Sequence, residues 1–127
     1  MAKLSARLTL TSTDWHTDSL SINQTASLLA TGDEQAIGRY TTSTTDSKIP
    51  VGVLDSTDKK AYVYLKNLST DAAEKIVIKE DSSGSVGSAF AVLGPNEWMF
   101  FPYGENDYLW VDAASGTPII EYAIFEA

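Results

Sequence analysis

Ala61-Tyr62-Val63-Tyr64-Leu65-Lys66-Asn67-Leu68 is the stretch that decides the fold. Aromatic and β-branched residues fill it, Asp58 precedes it and Ser69-Thr70-Asp71 follows it, so it reads as a central strand bounded by turn residues. The same grammar repeats toward the C-terminus. Residues 69–75 could hold one helical turn, which is too short to be stable alone, and read instead as a bridge to Ile76-Val77-Ile78-Lys79. Asp81-Ser82-Ser83-Gly84-Ser85 is a turn by composition, Ala89-Phe90-Ala91-Val92-Leu93 resumes a strand, and Gly94-Pro95-Asn96 closes it. Strands over residues 97–101, 108–112 and 119–125 follow, separated by the turns 103–107 and 114–118.

Toward the N-terminus, Leu4, Ala6, Leu8 and Leu10 alternate with Ser5, Arg7, Thr9 and Thr11, the period of a half-buried strand. Leu20, Ile22, Ala26 and Leu28 continue the alternation up to the polar turn 31–34. A threonine-rich strand over 35–43 and the short apolar run 49–54 come next; Pro50 cannot donate to a ladder and belongs at an edge or a strand start. About eight to ten strands at such spacing, with no convincing helix, predict an all-β fold: a two-sheet antiparallel β-sandwich, jelly-roll-like, forming a single domain over residues 1–127.

The chain's 127 residues suffice to bury a core without staples, and with no cysteine there is neither a disulfide nor a thiolate metal site. The first seven residues lack the apolar core of a secretory signal and no stretch is long enough for a membrane helix, so a soluble protein made in a cytoplasm is expected, with no membrane partner. A formal net charge of −8, with only Lys59-Lys60 as a basic cluster, excludes a phosphate-neutralising face and therefore nucleic acid.

Chemistry finds little to build on. A hydrolase triad needs a base, and His16 is the only histidine, set in the polar stretch Asp14-Trp15-His16-Thr17-Asp18. The acidic pairs Asp33/Glu34, Asp55/Asp58 and Glu105/Asp107 lack the spacing of a calcium loop and sit among turn residues. No catalytic, cofactor-binding or metal residue is assigned, and the chain is read as a non-enzyme. Trp98 and Trp110, beside Met99, Phe100, Leu109 and Val111, are expected in the core. Leu4 and Leu8 on a candidate edge strand, and Trp15 in its polar loop, are the candidate interface residues. The sequons at Asn23 and Asn67 are read as accidental.

Tyr62-Val63-Tyr64-Leu65-Lys66-Asn67, then Gly94-Pro95-Asn96-Glu97-Trp98-Met99-Phe100-Phe101-Pro102-Tyr103 and Gly116-Thr117-Pro118-Ile119-Ile120-Glu121-Tyr122, resemble the small virion proteins of tailed bacteriophages. In that group a Tyr-hydrophobic-Lys-Asn strand precedes a Leu-x-Pro-Gly-Glu-Trp-x-Phe-Phe-Pro strand and a terminal Val-Glu-Tyr-x-x-Phe-Glu strand; here Asn96 stands at the glycine position. The resemblance implies a capsid decoration (cement) protein on the head surface, a homotrimer whose partners are its own copies and the major capsid protein or another virion protein. The alternatives are a tail, adaptor or fibre-associated virion protein, and a carbohydrate-binding β-sandwich module.

Overall fold

The computed structural model describes residues 2–14, 19–30, 35–49, 60–82, 84–103 and 108–127. Among these every regular element is a strand: β1 (Ala2–Ser12), β2 (Leu20–Ala30), β3 (Gln35–Thr41), β4 (Ser47–Lys48), β5 (Ala61–Asn67), β6 (Ile76–Ser82), β7 (Ser85–Leu93), β8 (Trp98–Tyr103), β9 (Trp110–Ala113) and β10 (Ile119–Glu126). By contacts the chain forms two compact units, Met1–Thr31 and Gly32–Ala127. The first is a two-stranded antiparallel ribbon of β1 and β2.

The second unit is a sandwich of two four-stranded antiparallel sheets, β3-β10-β5-β8 and β4-β9-β6-β7. Its pairing runs from the outside inward: β3 with β10, β4 with β9, β5 with β8, and β6 with β7. This is the winding of a jelly roll, a long hairpin rolled up so that consecutive strands alternate between sheets except at its β6–β7 tip. The core is aliphatic. Ile49, Val63, Leu65, Ile76, Ile78, Leu109, Val111, Ile120 and Ile124 are essentially inaccessible to solvent. Each such side chain contributes about 1.5–3 kcal/mol by leaving water.

Three turns have visible causes. Gly84 adopts φ 86° and its N–H donates to Asp81 Oδ2 at 2.8 Å, closing the β6–β7 hairpin. The β7–β8 turn closes through Glu97 N–H to Gly94 O at 3.1 Å, with Pro95 presetting the entry and Asn96 at φ 59°. Asn96 thus occupies the left-handed position that the resembling motif gives to glycine. Between β5 and β6, Glu74 N–H donates to Asp71 O at 3.0 Å, so residues 69–75 bridge the sheets through a turn.

Asn67 ties these connections together. It is fully buried at the end of β5; its Nδ2 donates to Glu74 O at 2.8 Å and to Leu93 O at 3.0 Å, and its Oδ1 accepts from Ser69 N–H at 2.9 Å. An amide with both hydrogens engaged and no exposure offers no attachment point for a glycan in the folded chain.

Two core expectations are corrected. Trp98 is 53% exposed, because β8 turns Met99, Phe101 and Tyr103 toward the core and therefore Trp98, Phe100 and Pro102 outward. Trp110 is half-buried on the outer side of β9, where Val111 and Ala113 face inward, and its Nε1–H donates to Asp81 Oδ1 at 2.5 Å. Boundaries moved as well: β6 runs on through Asp81 and Ser82, and β7 begins at Ser85 rather than Ala89. The acidic residue read as a turn former is a buried acceptor within a strand.

On the outer face of the second sheet, Lys79 Nζ lies 2.7 Å from Asp46 Oδ1 and 3.3 Å from Asp112 Oδ1. The hydrogen bond to Asp46 raises the Lys79 pKa above the ordinary lysine value, burial opposes this, and Asp112 adds to the rise.

Two outcomes are expected. Asn67→Leu removes the donor for two buried carbonyls and should cost about 3 kcal/mol, read as a lower denaturant midpoint at unchanged slope; a loss under about 1 kcal/mol would show that water replaces the amide. For Lys79, a folded pKa above the unfolded one means stability that is complete below the unfolded value, about 10.4, and is lost as pH rises through the folded value. The melting-temperature gap between the wild type and Lys79→Met should stay constant at neutral pH and close only in strong alkali.

Candidate functional site

The ribbon is where an apolar surface is left over. In its register Leu4 opposes Leu28, Ala6 opposes Ala26, Leu8 opposes Gln24, Leu10 opposes Ile22 and Ser12 opposes Leu20. Directly opposed residues share a face, so one side of the ribbon is aliphatic apart from Gln24 and Ser12. The other side pairs Ser5 with Ser27, Arg7 with Thr25, Thr9 with Asn23 and Thr11 with Ser21, with Lys3 opposite Leu29. Two strands cannot form a second layer by themselves, and a lone hairpin is marginal in water. Leu8, Leu10 and Ile22 are 41%, 45% and 37% exposed and form one contiguous cluster.

The structure therefore brings the expected Leu4 and Leu8 onto one face, with Leu4 half-buried and Leu8 exposed. Trp15 lies outside the described residues, as does His16. Leu10, Leu20, Ile22 and Leu28 complete the face; the alternation in both strands carried that signal, but only a register could show that the two alternations coincide.

A second apolar surface lies on the outer side of β3-β10-β5-β8. Across this sheet the register sets Ile37, Ala123, Tyr64 and Phe100 in one row, and Phe125, Tyr62 and Pro102 in the next. A third row holds Arg39, Glu121, Lys66 and Trp98. Ile37 is 72% exposed and Phe100 36%. Tyr62 stacks on Phe100 with ring centroids 6.4 Å apart and is capped by Lys60 Nζ at 5.1 Å. Tyr64 donates its hydroxyl to Glu121 Oε1 at 3.2 Å; burial, then that bond and the carboxylate's charge, raise its pKa above the ordinary phenol value. Arg39 Nε also lies 3.5 Å from Glu121 Oε2 on this face; the opposite outer face carries the Lys79 ion network, Lys48 Nζ over Tyr108 and Trp110 at 4.0 and 5.2 Å from their ring centroids, and Val92, 54% exposed.

Concave chemistry is sparse. A shallow cleft of about 580 Å³ is lined by residues 91–93 and 96–99, and one of about 460 Å³ at the ribbon's turn end by residues 11–14 and 19–21. Among the described residues no group of three or more His, Cys, Asp or Glu is placed to hold a metal. Asp33, Glu34, Asp55, Asp58, Glu105 and Asp107 lie outside the described residues. No protein family, curated protein or solved structure matches the chain.

If the ribbon's apolar face is an association surface, Leu10→Lys with Ile22→Lys should lower the mass measured by light scattering while the β-sheet circular dichroism of the sandwich persists. Thr9→Lys with Asn23→Lys, on the polar face, should change neither reading. Equal effects from both pairs would assign the charge, not the face, as the cause.

Proposed function

We propose that this chain is a non-enzymatic virion structural protein of a tailed bacteriophage: a capsid decoration subunit that associates with its own copies on the head surface and reinforces it. One observation carries the reading. Besides the jelly-roll unit the chain has a ribbon of two eleven-residue strands with a one-sided aliphatic face, and apolar surface left in water favours association. Assembly is the economical way to cover it, and a small rigid sandwich is a suitable body to repeat over a lattice. The strand, turn and terminal-strand patterns shared with small phage virion proteins support the placement in a particle, with the major capsid protein as the second partner.

A carbohydrate-binding module is the second reading, favoured by Trp98. Its exposed ring borders the cleft that Asn96 and Glu97 also line, which sets a stacking surface beside polar groups. Loss of glycan-array signal on Trp98→Ala, with the fold intact, would support that module.

The decisive measurement is a reconstruction of particles assembled with and without this chain. Decoration requires density repeated over the head faces, and earlier release of the genome on heating when the chain is missing. Density confined to one vertex or to the tail would make the protein an adaptor, tail or fibre component instead.

A further inference from the structure

We draw no further inference here: the strongest candidate, the edge strand β7, which holds no charged residue and leaves Val86, Phe90 and Val92 exposed, carries none because nothing in the structure shows what covers that edge.

Discussion

The buried amide of Asn67 is the interaction on which the sandwich depends. It sits in the β5 strand of one sheet, and both carbonyls it satisfies belong to the other sheet's connections: Glu74 just before β6, and Leu93 at the end of β7. Its oxygen fixes Ser69 at the start of the bridge. One side chain thereby sets where the chain leaves the first sheet, where it enters the second, and where it turns back. A buried carbonyl without a donor is costly, so the three segments are held in register together or not at all. The aliphatic core supplies the energy of closure; Asn67 supplies its uniqueness.

Much of this was legible in the sequence. The alternations at Leu4–Leu10 and Leu20–Leu28, the apolar runs at β5 and β10, and the turns at Gly84 and at Gly94-Pro95-Asn96 mark strands and connections that the structure contains. What stayed hidden is parity. Glu97-Trp98-Met99-Phe100-Phe101 has no polar residue among its four apolar ones to reveal which side faces the core, so Trp98 was expected inside and lies outside. Trp110 failed for a related reason, since its indole needs a polar partner and finds Asp81, a residue read as part of a turn. The two-residue strand β4 is set by its pairing with β9 and has no local signal of its own.

The same ambiguity concealed the candidate site. A strand with apolar residues on both sides belongs either between two layers or at an interface, and sequence alone does not separate the two. In β8 the inner residues Met99, Phe101 and Tyr103 pack against the core, while Trp98, Phe100 and Pro102 remain on the outer side. The other sheet's outer face carries Lys48, Lys79, Asp46 and Asp112, the finish expected of a surface meant for water. The first sheet's outer face has its own ion pair, Arg39 with Glu121, and the second exposes Val92 at 54%, so both outer faces mix apolar and charged groups.

An exposed aliphatic ribbon face and a formal net charge of −8 act over different distances. Like-charged copies repel at long range. At contact distance the apolar rows dominate, because salt at physiological strength screens charges separated by more than about 8 Å and leaves hydrophobic burial untouched. In the ribbon β1 carries Lys3 and Arg7 with no acidic or aromatic residue, and β2 carries no charged residue, so the ribbon's strands add nothing to the negative charge of the chain. Taken each by itself, the sandwich buries an aliphatic core between its sheets, whereas the ribbon leaves Leu8, Leu10 and Ile22 exposed.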